Sequence, residues 1–318
     1  MGLSPSQTYD SRNHATPMSN NTEDLFDAKF LGRLRSLFFK LRKRRQMQRR
    51  GQQATPASGF TREFKDHRSY TPGDDFRTID WRLFARLEKP FIRIFEEVQE
   101  FHVHILVDRS GSMIEPFSQK RVMALQVAVA LAYLALLSQH RVSILSLGDE
   151  LRRETQPMKG QGHVHFLLKQ MAELQFGGKT NLVDCLKQFR PSRDRRGMVF
   201  LISDLFGRAP EASTEALLQA TRWPAETHVI HVLHPNEMEP DLQGEIRLLD
   251  VETAEVRRIW MTKRELARYK KAFEQFMEDL HRFCMRRKID YFPWTTDQLF
   301  EDAFLDLLSR GSALAGTG

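Results

Sequence analysis

From residue 101 onward the apolar positions change period several times. "FHVHILV" at 101–107 and "VSILSL" at 142–147 are short apolar runs, whereas "VMALQVAVALAYLALL" at 122–137 is apolar all round for 16 residues. Short runs bounded by turn residues suit buried strands, and longer ones suit helices. The pattern predicts strands over 101–107, 142–147, 198–203, 227–233 and 289–293. It predicts helices over 118–139, 163–174, 181–190, 212–221, 263–287 and 297–309. Strands alternating with helices predict an α/β fold, a mostly parallel central sheet covered by helices on both faces. Within it "SILSLGDELRRET" predicts an antiparallel edge hairpin turning at "GDE".

The N-terminal third has a different character. Residues 1–22 are polar and predicted to be disordered, as are 311–318, and the first 22 lack the basic-then-apolar layout of a secretory signal. Residues 23–50 predict a basic amphipathic helix, with Phe30, Leu31, Leu34, Leu37, Phe38 and Leu41 recurring at helical spacing. Residues 51–99 form a cap ahead of the main domain at 100–310. In the cap "TPGDD" is a turn whose Asp74 or Asp75 can cap a helix over 76–87, and "KPFIRIFEEVQE" alternates as a half-exposed strand does. Arg68, Asp74, Asp75, Arg77, Asp80 and Arg86 are read as structural ion pairs holding the cap onto the next domain, with a recognition surface as the alternative.

Charge changes the picture only locally. Of 48 Lys and Arg, ten fall in residues 29–50 without a single acid, and the other 38 face 41 Asp and Glu. The body is therefore not basic, and nucleic acid is set aside as the main partner. The 29–50 helix can dock its stripe on its own protein, lie on an anionic membrane surface, or meet a polyanion. Cys185 and Cys284 are too few and too far apart for a disulfide framework, which suits a reducing cytoplasm. The 122–137 stretch is shorter than the roughly 20 residues that span a bilayer, so it reads as a helix buried against the sheet. The expected location is cytoplasmic, with peripheral attachment at the inner membrane face as the variant in which 29–50 meets lipid.

The chemistry concentrates where two strands end. Asp108, Ser110 and Ser112 follow the first strand in "VDRSGSM", and Asp204 follows the apolar strand "MVFLIS". Ligands of open parallel sheets gather at the carboxyl ends of strands. Thr180, in the Gly-rich "FGGKTNL" before a helix, can bring a hydroxyl to the same edge. Such a set of oxygens suits a hard cation, magnesium first and manganese or calcium as alternatives, whereas softer metals favour His or Cys. The alternative is a structural capping role for the same side chains. Lys179 adds a positive charge that either opposes the ion or turns into solvent.

Asp108, Ser110 and Ser112 as D-x-S-x-S, then Thr180, then Asp204, resemble in spacing and order the metal-ion-dependent adhesion site of von Willebrand factor A-type domains. From "REF" through "YTPGDDFRTIDWRLFAR" into "VDRSGSM" the chain resembles the bacterial domain-of-unknown-function family 58 (DUF58), over roughly residues 55–310. The resemblance implies a von Willebrand A-like sheet. It also implies a site in which Ser110, Ser112 and Thr180 are direct or water-bridged ligands, with Asp108 and Asp204 as charged anchors. A coordination position is left open for a partner's acidic side chain. It further implies a noncatalytic adaptor for a MoxR-type AAA+ ATPase in a chaperone-like assembly.

Enzymatic readings find less support. "GGKT" ends like a phosphate-binding loop, but Glu173 stands where that loop needs its first glycine. "DRSGS" is not a nucleophile elbow. His102 with His104, and His228, His231 and His234, are read as structural because neither set supplies three ligands on one face. A hydrolase activating water on the same cation would need a general base that the sequence does not reveal.

Overall fold

A computed structural model describes residues 26, 29–37, 62–97, 101–192, 197–207, 211–240, 244–249 and 256–310. Two compact units are present, one made of residues 1–45 with 101–317 and the other centred on 46–100. The tails at 1–22 and 311–318, and the 38–50 part of the basic segment, lie outside the described residues.

The larger unit is built on β3 (His102–Asp108), β4 (Arg141–Leu147), β7 (Gly197–Ser203), β8 (Ala225–Leu233) and β11 (Asp290–Thr295), all parallel, in the order β11-β8-β7-β3-β4. The short strands β5 (Arg152–Arg153) and β6 (Met158–Lys159) pair antiparallel with β4, as the "GDE" turn predicts. Every residue of β7 is buried, because helices cover both faces.

Side chains alternate between two cores. Val103, Ile105 and Val107 join Met198, Phe200 and Ile202 beneath α3 (Gln119–Leu137), α4 (Val164–Glu173) and α9 (Phe300–Arg310). Leu106, Val199 and Leu201 face α5 (Leu182–Gln188), α6 (Ala212–Ala220) and α8 (Lys263–Arg287). The α3 helix is long and apolar enough to cross a membrane, yet most of it is buried in this core. Its alanines, Ala124, Ala128, Ala130, Ala132 and Ala135, are wholly buried and let the helix approach the sheet closely. The amphipathic α8 opens with a reciprocal capping box between Thr262 and Glu265.

The basic N-terminal segment is helical over residues 29–37, here α1. Phe30, Leu34 and Leu37 are buried in the first core, and the Phe30 ring lies 5.6 Å from that of Phe300 on α9. Docking on its own protein is thus what the described part of this helix does. The apolar stripe that the membrane alternative would need to face lipid is occupied over residues 29–37.

The smaller unit pairs β1 (Arg62–Ser69) antiparallel with β2 (Phe91–Glu97). Between them the single helix predicted over 76–87 is divided into a short 3-10 turn at Phe76–Thr78 and α2 (Trp81–Leu87). Each has its own aspartate cap. Asp75 accepts from Arg77 N, and Asp80 accepts from the backbone of Arg82 and Leu83. Arg68 grips Asp74 through two hydrogen bonds of 2.8 and 2.9 Å, and His67 meets Asp80 at 3.0 Å. Arg68, Asp74 and Asp80 therefore pair within the smaller unit, and none of these bonds reaches the next domain.

After β8 come α7 (Pro235–Met238) and a hairpin of β9 (Gly244–Leu249) with β10 (Val256–Met261), which the apolar pattern did not predict. Adjacent Arg257 and Arg258 interrupt the alternation in β10.

Candidate functional site

The carboxyl ends of β3 and β7 lie side by side at the centre of the sheet, with Val107 opposite Ile202. The chain runs from β3 to β4 on one side and reaches β7 only afterwards on the other, so strand order reverses here. Asp108 ends β3, and Asp204 follows β7 directly.

Backbone bonds lace the loops together. Gly111 N donates to Gly178 O at 3.0 Å, Gly177 N to Arg109 O at 2.8 Å, and Arg109 N to Leu147 O at 3.0 Å. Gly177 and Gly178 take φ of 129° and 80°, conformations in which any other residue is strained. That turn delivers Thr180 to the end of β3.

Asp108 is the hub. Its Oδ1 accepts from Ser110 N at 2.9 Å and from Thr180 Oγ1 at 3.1 Å, and its Oδ2 accepts from Ser203 Oγ at 2.6 Å. Ser110 Oγ and Ser112 Oγ are 2.9 Å apart. Asp108 and Ser110 are buried, whereas Ser112 and Thr180 are partly exposed, so the cluster opens to solvent on their side. Burial and then the charge of Asp204 push the Asp108 carboxyl up to about 6, against the hydrogen bonds from Ser203 and Ser110.

The structure thus brings Asp108, Ser110, Ser112 and Thr180 into one cluster, with Asp204 close enough for its charge to reach Asp108. Neighbouring ligands around a six-coordinate magnesium ion lie about 2.9 Å apart, given bonds of roughly 2.0 to 2.1 Å. The 2.9 Å and 3.1 Å oxygen pairs match that spacing. Lys179 is exposed. Among the described residues no group of three His, Cys, Asp or Glu is arranged for a metal. A cation at this edge would rely on hydroxyls.

Three functional side chains escaped the sequence reading. Ser203 orients Asp108, as just described, and its Oγ also accepts from Leu205 N at 2.9 Å. Lys120, the second residue of α3, is wholly buried, with Nζ 2.9 Å from Asp204 Oδ2 and 2.5 Å from Glu237 Oε1 on α7. Burial pulls the Lys120 pKa down, but the charges of Asp204 and Glu237 outweigh it and hold the ammonium above its ordinary value. Burial likewise holds the Glu237 carboxyl above the usual range.

The histidines are structural. The rings of His102 and His104 stack at 3.9 Å, and His102 bonds Ser143 at 2.8 Å. His231 Nε2 donates to the carbonyl of Asp204 at 2.8 Å, so its Nδ1 accepts from Tyr291 OH at 2.6 Å. Burial lowers the His231 pKa to about 4, which keeps that ring neutral. His234 accepts from Asn236 N at the start of α7.

A family model described as "Protein of unknown function DUF58" matches residues 66–279. The uncharacterized protein Rv1480 of Mycobacterium tuberculosis is 28% identical over 247 residues, covering 76% of this chain and 77% of its own length. The uncharacterized protein Mb1516 of Mycobacterium bovis matches to the same extent. Among solved structures, a von Willebrand factor type A protein from Catenulispora acidiphila aligns with 43% of this chain and 34% of its own, at 17% identity and a TM-score of 0.33. The conserved hypothetical protein BatB from Bacteroides thetaiotaomicron aligns with 66% of this chain and 98% of its own, at 14% identity and a TM-score of 0.35. With the family model matching more than half of its 318 residues, the chain belongs to the DUF58 family of proteins of unknown function.

Proposed function

We propose that this protein is a noncatalytic, metal-dependent protein-interaction module. Its site is the edge where Asp108, Ser110, Ser112, Thr180 and Asp204 gather. The observation that carries the reading is the hydrogen-bonded cluster at the strand-order reversal, in which Thr180 and the backbone of Ser110 bond the buried Asp108 carboxylate and the Ser110 and Ser112 hydroxyls bond each other. The resemblance of these five residues to a metal-ion-dependent adhesion site supports it.

Ser110, Ser112 and Thr180 would offer hydroxyl oxygens, and Asp108 and Asp204 would supply charge, directly or through water. A magnesium ion bound there would supply an electrophilic position for a carboxylate. The chain's own part is to hold its oxygens in place. Ser203 Oγ and Ser110 N fix the Asp108 carboxylate, and the Gly177–Gly178 turn holds Thr180 against it. The neutral His231 ring anchors the Asp204 backbone. Ser112 and Thr180 lie on the solvent side, where a partner's Asp or Glu can approach.

The family resemblance points to a MoxR-type AAA+ ATPase as that partner, in a cytoplasmic, chaperone-like assembly. Capture from native cell lysate tests this, using wild type and Asp108→Ala, each with magnesium and with chelator. Retention of an ATPase by wild type with magnesium alone is the expected result. The same proteins bound in every condition would exclude an ion-bridged contact.

A further inference from the structure

We propose that Lys120 is a built-in cation that withholds the charge of Asp204 from a divalent ion and so sets how tightly this edge binds one. The inference rests on the metal reading above.

Lys120 has no water to solvate it, being 0% exposed. A buried ammonium persists only where anions and hydrogen bonds replace that water. Here Asp204 Oδ2 at 2.9 Å and Glu237 Oε1 at 2.5 Å do so, with the Phe206 ring 5.3 Å from Nζ. Glu237 is itself held by the capping turn of α7, where its Oε2 accepts from His234 N at 2.8 Å. The ammonium therefore cannot swing away without breaking two bonds.

The charge distribution follows. Asp108, Asp204 and Glu237 are three carboxylates, and among the described residues Lys120 is the cation hydrogen-bonded to two of them, Asp204 and Glu237. Because Lys120 binds Asp204 directly, an ion near Asp108 meets one full carboxylate and three neutral hydroxyls. Such an ion is held weakly and keeps net positive charge. That residual charge is what an acidic partner side chain would neutralise, so Lys120 trades affinity for metal against affinity for the partner.

Removing Lys120 and Glu237 together separates this from a simple count of charges, because Lys120→Met with Glu237→Gln leaves the local net charge unchanged. Calorimetric titration of manganese and magnesium into the full chain is the measurement. The double variant should bind either ion tighter than wild type by on the order of tenfold, because it frees the charge of Asp204, which reaches Asp108, and gives up that of Glu237, which lies on the other side of Lys120. It should also show the larger ion-induced rise in melting temperature, including the extreme case in which it folds only with metal. Wild-type affinity in the double variant overturns the proposal. If that variant fails to fold under any condition, Lys120→Gln with Glu237→Gln decides, because it keeps a hydrogen-bonding side chain beside Asp204 and the same net charge. It should bind either ion several-fold tighter than wild type, and wild-type affinity overturns the proposal. If wild type itself binds neither ion, the metal reading falls and this inference with it.

Discussion

Asp108 is the side chain on which the site depends, and the folded protein holds it under electrostatic stress. Its carboxyl is raised to about 6 by burial and by Asp204, whereas an unfolded aspartate titrates near 3.9. A group whose folded pKa is raised destabilises the fold once ionised. Stability from this residue is greatest below about pH 3.9, falls as pH rises to about 6, and then stays level. Asp108→Asn keeps the shape and removes the charge. In chelator at pH 7.5 it should therefore raise unfolding stability by about 1 to 2 kcal/mol while abolishing any response to magnesium. Urea unfolding checks both halves, and a destabilised Asn variant would contradict this account of the stress. A carboxylate that weakens its own fold is commonly kept for function rather than structure.

At the scale of elements, the docking of α1 and the Gly-rich turn have separate consequences. Leu34 is 1% exposed in the core beneath α9, so Leu34→Ala should cost about 2 to 4 kcal/mol of unfolding stability. A change below about 0.5 kcal/mol would show that the stripe is free in solution, as a lipid-facing helix requires. The ion pair from Arg33 on α1 to Glu301 on α9 is largely exposed and contributes little. Gly177→Ala should cost about 1 to 2 kcal/mol through its positive φ and should weaken ion binding in proportion to the displacement of Thr180. Loss of stability without loss of ion binding would remove Thr180 from the site.

At the scale of the whole molecule, the sheet and its helices were readable wherever a single period ran unbroken. The β3, β4 and β7 strands are continuous apolar runs because both faces are covered, and α3 is apolar all round for the same reason. The β9–β10 hairpin was illegible because its charged positions break the alternation. The 76–87 helix was misread because Asp80 serves as a second cap inside the run. That Asp108, Ser110, Ser112 and Thr180 gather at one edge, with Asp204 near them, was readable because two apolar strands end in aspartates and a Gly-rich loop precedes α5. Lys120, Ser203 and Glu237 were not, since their roles depend on contacts across the sheet's edge and sequence spacing carries no trace of them.

Two buried neutral histidines set the acid limit of the fold. Burial lowers His231 to about 4 and His104 to about 3, against about 6.5 unfolded. A histidine with a depressed folded pKa gives stability that is present above pH 6.5 and lost as pH falls toward the folded value. Asp108 shifts in the opposite sense, so the net loss between pH 7 and 5 should be about 2 kcal/mol. His104→Leu should remove most of that loss in urea unfolding, and an unchanged pH dependence would exclude His104 as its source.

The most direct measurement is calorimetric titration of magnesium into wild type and Ser112→Ala at pH 7.5. Ser112 is partly exposed, so the variant leaves the core intact while deleting one of the converging hydroxyls. Saturable binding of one ion per chain in wild type, weakened at least tenfold or lost in Ser112→Ala, is the expected result. No saturable binding in wild type, or equal affinity in both, would contradict an ion held at the end of β3.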